Sequence, residues 1–231
     1  MFVISCKYNH NFPHIIELVK QIREFHHTEK IVVVDSASDD KSYFNDIEKY
    51  DVIIEDINNR NWMVGAYWYA YKKYPNEDFY FFMHDSMKVK SNLDYLKERD
   101  LTLMMTFDRY NIGNFNVWSE IITKDSLYEY NLKGYGCYGP IFFCKNKVME
   151  KMLEMGADKF LPINKQEVWF CEGAYGFFLE DQGYDLYKCS LFGDVILNEL
   201  PDGKSGSPPH KTDWQYPIEK FYGSHLDPNR H

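Results

Sequence analysis

Residues Phe79-Tyr80-Phe81-Phe82-Met83 form an unbroken run of bulky apolar side chains that passes directly into His84-Asp85-Ser86-Met87. A continuous apolar run bounded by polar residues predicts a strand covered on both faces, as in α/β proteins; a half-exposed hairpin strand would alternate instead. In open α/β sheets ligands bind beyond the carboxyl ends of the strands, which puts His84 and Asp85 where chemistry is expected. The competing reading is a core strand closed by an Asp that starts a turn.

The residues before this run alternate strand and helix. Phe2 to Cys6 reads as a short strand, and Asn9 to Pro13 as a turn with helix-start chemistry. Ile15, Ile16, Leu18, Val19, Ile22 and Phe25 then follow helical spacing. A second strand, Ile31 to Val34, ends in Asp35-Ser-Ala-Ser-Asp-Asp40, and Val52 to Ile54 is a third. Met63, Ala66, Tyr67, Ala70, Tyr71 and Tyr74 draw one face of a helix that Pro75 ends, and Gly65 in its first turns permits a close approach. This order predicts a mostly parallel sheet flanked by helices, with the first 90 residues built like a mononucleotide-binding half.

Charge and composition narrow the function. With 26 Lys plus Arg against 35 Asp plus Glu, the net charge of -9 leaves no footprint for phosphate-backbone binding, so nucleic acid is not expected as a partner. An acidic protein that handles a phosphorylated ligand is expected to recruit a divalent cation. The five cysteines (Cys6, Cys137, Cys144, Cys171, Cys189) lack metal-site spacing and read as reduced core residues. No stretch has signal-peptide character or the length of a membrane span, so the expectation is a cytoplasmic protein without a transmembrane segment.

The later residues are less regular. Leu101 to Phe107 reads as one strand, Asp108 to Val117 as a Gly/Asn-rich loop with Arg109 and Tyr110, and Tyr135 to Pro140 as a tight bend before the strand Ile141 to Cys144. A helix follows through Val148, Met149, Met152 and Leu153, then another from Gln166 to Asp181 closed by Gly183, then a strand over Tyr184 to Ser190. Glu172 falls on the stripe Val168, Glu172, Tyr175, Leu179. A carboxylate among apolar neighbours suits a general base or acid, and the alternative is a Glu capped at the helix edge. Asp202 to Pro209 is a Gly/Ser/Pro-rich linker, with His210 and His225 beyond it.

Taken in order, these pieces resemble a GT-A glycosyltransferase, and are similar to the small family 2-like enzymes that use nucleotide sugars. The resemblance rests on Val33-Val34-Asp35 to Asp39, Asn59-Arg60-Asn61 to Gly65, Phe81 to Ser86, Gly139 to Lys145, and Glu172. It implies a single GT-A domain over 1–200, with 1–90 as the nucleotide-binding half and 91–200 as the acceptor half. Residues 201–231 would then be a carboxy-terminal tail packing near the active site.

The resemblance also implies roles. Asp35 would bind the nucleotide base or ribose, unless it is a turn-forming residue. Arg60 and Asn61 would hold the diphosphate, with an ordinary surface Arg as the alternative. His84 and Asp85 would face the donor sugar nucleotide, Glu172 would deprotonate the acceptor, and Asp108 and Arg109 would bind it. The family's Asp-x-Asp metal motif is represented here by His84-Asp85-Ser86, with one carboxylate. Mn2+ or Mg2+ would be held by Asp85 and His225, with His210 as second choice.

The implied function is metal-dependent, inverting sugar transfer from a UDP- or GDP-sugar to a hydroxyl of a glycan or glycoconjugate. Two alternatives stand beside it. One is a non-catalytic GT-A-like binding or scaffold module. The other is a nucleotidyltransferase, against which Cys6-Lys-Tyr-Asn-His10 lacks a glycine-rich phosphate loop.

Overall fold

A computed structural model describes residues 1–10, 13–108, 134–193 and 217–220. In chain order the first elements are β1 (Phe2–Cys6), α1 (His14–Phe25), β2 (Ile31–Asp35), α2 (Tyr43–Glu48), β3 (Val52–Asp56), α3 (Trp62–Lys73) and β4 (Phe79–His84). Then come β5 (Met87–Val89), a 3-10 turn (Asp94–Glu98), β6 (Leu101–Leu103), β7 (Thr106–Asp108), β8 (Tyr135–Cys137) and β9 (Phe142–Lys145). The last are α4 (Asn146–Glu154), α5 (Lys165–Asp181), α6 (Leu186–Cys189) and β10 (Ile218–Lys220).

Six strands form the central sheet in the order β3-β2-β1-β4-β9-β6. The first four run parallel, while β9 and β6 are antiparallel to their neighbours. The fold is therefore α/β around a mostly parallel sheet, as the strand and helix periodicities predict. Reversal at β9 follows from chain economy, since antiparallel strands need no crossover helix between them.

β4 is covered on both faces, and its alternation divides the interior in two. Tyr80 and Phe82 point to the core shared with α3, α4 and α5, while Phe79, Phe81 and Met83 point to the core shared with α1. Phe82 meets Phe142 at 4.9 Å between ring centroids, and Phe81 stacks on Phe2 at 4.3 Å. Burial of each such side chain contributes on the order of 1.5–3 kcal/mol before entropy is counted. Helix α1 presents Ile15, Leu18, Val19 and Ile22, at spacings of three, one and three, to the second core.

Two expectations are corrected. Leu101 to Phe107 is two strands: β6 belongs to the central sheet and β7 pairs with β8, the chain changing sheets at Met104-Met105. Every residue of that run is apolar or Thr and buried, so no alternation marks the break. Tyr184 to Ser190 is a short helix, because Asp185 caps it by accepting a hydrogen bond from the Lys188 N–H at 3.1 Å. Ser190 alone bridges Leu103 there. The short helix α2, inside a stretch without helical periodicity, and the β5–β10 pair have no counterpart in the sequence reading. Among the described residues no helix is long and apolar enough to cross a membrane, and Arg109, His210, His225 and most of the proposed tail lie outside those residues.

Candidate functional site

A cavity of about 410 Å³ opens at the carboxyl ends of the parallel strands, within the roughly 300–1,000 Å³ of small-molecule sites. Ser5 and Lys7 reach it from β1, Ser36 and Ala37 from β2, and His84 and Asp85 from β4. Asn59 and Arg60, after β3, and Trp62 and Met63, which begin α3, complete the lining. Parallel pairing fixes the alignment: Ser5 lies beside His84 in register, and Cys6 beside Asp35.

Side-chain hydrogen bonds tie these strand ends together. Ser5 and Ser36 hydroxyls are 3.1 Å apart, and Asn59 donates to the Ser36 hydroxyl at 3.1 Å and to the Trp62 carbonyl at 2.6 Å. Asn61 donates its own N–H to Asn59 Oδ1 at 3.1 Å, and its side chain reaches the Pro162 carbonyl at 3.0 Å. A Cβ on Gly65 would lie 2.3 Å from Asn59 Oδ1, so the close approach expected at that glycine is to this amide. Asp85 receives the Lys7 N–H at 2.9 Å, while its own N–H donates to the Ser5 carbonyl at 3.0 Å.

Backbone strain gathers at the same place. Non-glycine residues with positive φ are Ala37 (58°), Asp51 (55°), Asn58 (51°) and Trp62 (48°) among the described residues. Ala37 and Trp62 line the cavity and Asn58 precedes Asn59, so three of the four belong to its rim. Each costs on the order of 1–3 kcal/mol, which the surrounding hydrogen bonds must offset. Trp62 is still 37% exposed, leaving an indole face at the mouth.

Asp35 sits behind this wall. It is fully buried, its Oδ1 accepts the Ser38 N–H at 2.9 Å, and its Oδ2 accepts the Tyr43 hydroxyl at 2.8 Å. Burial, with Cys6 and Asp35 nearby, pushes the Tyr43 phenol far above its ordinary value, so it stays a donor. Ser38 in turn accepts the Tyr8 N–H at 2.8 Å, and Tyr8 stacks on Tyr43 at 4.6 Å. The carboxylate thus organises the turn after β2.

Glu172 is half-buried on α5, on a stripe whose other members, Val168, Tyr175 and Leu179, are buried. It is not among the residues that line the cavity. A chain of rings joins its helix to the cavity floor: His84 to Tyr67 at 6.5 Å, Tyr67 to Phe142 at 6.4 Å, and Phe142 to Tyr175 at 5.8 Å. α5 presses against β8 at Gly176, where a Cβ would meet the Tyr135 carbonyl at 2.1 Å. Asp108 ends β7, in the small sheet that contains β8.

Of the residues singled out by sequence, then, Arg60, His84 and Asp85 share one cavity, and Asn61 braces its edge. Asp35 stands behind it, and Glu172 and Asp108 are on other elements. Lys7, Ser5, Ser36 and Trp62 also line the cavity, and their signal in the sequence is position: Ser5 is the last residue but one of β1, Lys7 and Ser36 directly follow strands, and Trp62 opens α3.

Among the described residues no three His, Cys, Asp or Glu side chains converge as a metal site. Asp85 is the sole carboxylate among the described residues of the cavity lining, and one of its oxygens already accepts the Lys7 N–H. Within the same described residues Lys7 and Arg60 outnumber Asp85 in the lining, a balance that opposes a resident cation. Among the described residues this lining does not fit a protein-held Mn2+ or Mg2+; His225, the second expected ligand, lies outside them.

No family model and no curated protein matches the chain. Among solved structures it is similar to TarS residues 1–349 from S. aureus, at 15% identity and a TM-score of 0.44 over 75% of this chain. It spans 55% of that structure's length. It is also similar to the galactosyltransferase LgtC, solved with donor and acceptor sugar analogs, at 11% identity and a TM-score of 0.40 over 76% of this chain and 70% of that one.

Proposed function

We propose that this chain is a glycosyltransferase that moves a sugar from a nucleotide-diphosphate sugar to a hydroxyl of a glycan or glycoconjugate. The observation that carries the reading is the cavity itself. It lies at the carboxyl edge of a parallel sheet, at the start of a helix whose N-cap residue Asn61 makes no side-chain capping bond, and it contains Lys7 and Arg60. Uncapped N–H groups and two cations suit a diphosphate.

In this reading the nucleoside rests against the turn that Asp35 holds in shape, and the diphosphate lies toward Arg60, with Asn61 bracing that loop. His84 and Asp85 face the sugar. The acceptor oxygen forms a bond to the anomeric carbon as the bond from that carbon to the phosphate oxygen breaks, the electron pair leaving with the nucleoside diphosphate. Glu172 takes the acceptor's proton, on the opposite face from the leaving group, and the anomeric centre inverts. Asp108, which ends β7 beside β8, is assigned to the acceptor, as is Arg109, which lies outside the described residues.

Thermal-shift screening with UDP, GDP and their sugars, with and without Mn2+, tests the reading. A nucleotide at a hundred times its Kd adds about 2.7 kcal/mol, or roughly 5–10 °C for a chain of this size. If no nucleotide moves the melting temperature under any metal condition, the transferase reading fails. Glu172→Gln should keep the shift and lower kcat by about 10²–10⁴-fold; nucleotide binding without turnover in the parent chain would favour a binding module instead.

A further inference from the structure

The charge of the whole chain and that of the described residues lining the cavity have opposite signs. The chain carries -9 overall, yet the cavity lining contains two cations, Lys7 and Arg60, and one carboxylate, Asp85. Several cations elsewhere are spent on carboxylates: Lys41 meets Asp56, Lys72 meets Asp158, Lys73 meets Glu55, and Lys145 and Lys147 meet Asp100. Among the described residues neither Lys7 nor Arg60 has a carboxylate partner, and both are exposed. The Lys7 backbone is nevertheless fixed, because its N–H is held by Asp85. Arg60 is fixed between Asn59 and Asn61, whose side chains are bonded on either side of it.

We infer that the cavity neutralises a bound diphosphate with Lys7 and Arg60 in place of a divalent metal. The inference rests on the glycosyltransferase reading above and departs from the metal dependence that the sequence resemblance implies. A divalent cation in an Asp-x-Asp site enters a region of negative charge. Here it would enter one carboxylate's field opposed by two cations, while a diphosphate entering the same space is attracted by both. Lys7 acts as a point charge after β1 and Arg60 as a planar fork after β3, so the two grip phosphate oxygens from separate strand ends. Asp85 then has a positioning role toward Lys7, by holding its backbone in place.

Titration calorimetry of the full chain with UDP, GDP and the matching nucleosides, each in EDTA and in Mn2+, decides the matter. The expected result is nucleotide binding in EDTA within about threefold of that in Mn2+, with the diphosphate binding far better than the nucleoside. Lys7→Ala and Arg60→Ala should each weaken diphosphate binding by about tenfold, and the pair together should erase the advantage over the nucleoside. Melting temperatures of these variants should equal that of the parent, since both side chains are exposed. Binding that appears only with Mn2+, or that survives both substitutions, overturns the inference and leaves the glycosyltransferase reading standing. No binding of either nucleotide under either condition overturns both.

Discussion

The two sides of the molecule are held in place by different physics. At the cavity, strand ends are fastened by polar groups: Asp35 by the Tyr43 hydroxyl and the Ser38 N–H, Ser36 by Ser5 and Asn59. On the side of β7, β8 and α5, close contact is added to hydrogen bonds such as that from the Tyr135 N–H to the Glu180 carboxylate at 2.8 Å. Gly176 of α5 lies so close to β8 that a Cβ would sit 2.1 Å from the Tyr135 carbonyl, and Gly136 leaves room for the Phe107 ring. Hydrogen bonds specify direction, and here they surround the strained residues Ala37 and Trp62 at the cavity rim. Close packing of backbone on backbone specifies distance, and here it sets how far α5, which carries Glu172, stands from β8.

Gly176→Ala attacks the contact side and should have the largest effect. The clash is with backbone, which cannot swing aside, so the cost is on the order of 3 kcal/mol or more. Urea unfolding should report it as a lower midpoint with unchanged m. Nucleotide binding in the folded fraction should persist, because the cavity side is fastened separately. A Gly176→Ala protein as stable as its parent would mean that α5 does not depend on this approach.

Tyr43→Phe attacks the polar side more gently. It removes the donor to Asp35 Oδ2 and leaves one oxygen of a fully buried carboxylate unpaired, at about 1–3 kcal/mol. Asp35→Asn keeps the shape and should cost about as much. The double variant should cost less than the sum of the two, since both break one bond. Additive losses would show that the pair is not coupled.

That contrast also explains what could be read in the sequence. The cavity side was legible because its elements repeat local signals: α1 keeps helical spacing, β4 is one apolar run, and a strand end locates His84 and Asp85. The contact side was not, because β6, β7 and β8 are strands of three residues defined by distant partners, Leu101 by Cys144 and Thr106 by Cys137. A hydrophobic run cannot say at which residue it leaves one sheet for another. Asp35 illustrates the remaining gap. A carboxylate after a strand reads as a ligand contact or a turn, and only the place of Tyr43, eight residues on, shows both its oxygens engaged by the protein. Lys7 is the reverse case, an ordinary lysine until β1 and β4 are seen side by side.

Polar fastening recurs behind the sheet at His26, and there it carries a pH dependence, the smallest effect of the set. His26 is 4% exposed, its Nε2 accepts the Leu93 N–H at 3.1 Å, and its ring packs 4.9 Å from Phe2. Burial pulls its pKa below the ordinary histidine value, more than Asp94 and Glu29 raise it, while Lys97 and the amino-terminal ammonium add to the lowering. A neutral imidazole is also what the hydrogen bond requires, since Nε2 must keep its lone pair. The unfolded chain therefore binds a proton that the folded chain does not, at pH values just below about 6.5. The stability contributed by neutral His26 is complete above that value and is lost as pH falls below it, until the folded group also protonates. The slope is at most about 1.4 kcal/mol per pH unit, the limit for one proton. Urea unfolding from pH 8 to 5.5 should show the parent losing more stability than His26→Phe, which lacks the titrating group and starts less stable because the Leu93 N–H has lost its acceptor. Taking the difference between the two curves cancels the other histidines. A flat difference would show that the imidazole enters the fold at no electrostatic cost, and that the α1 face is held by packing in the same way as α5.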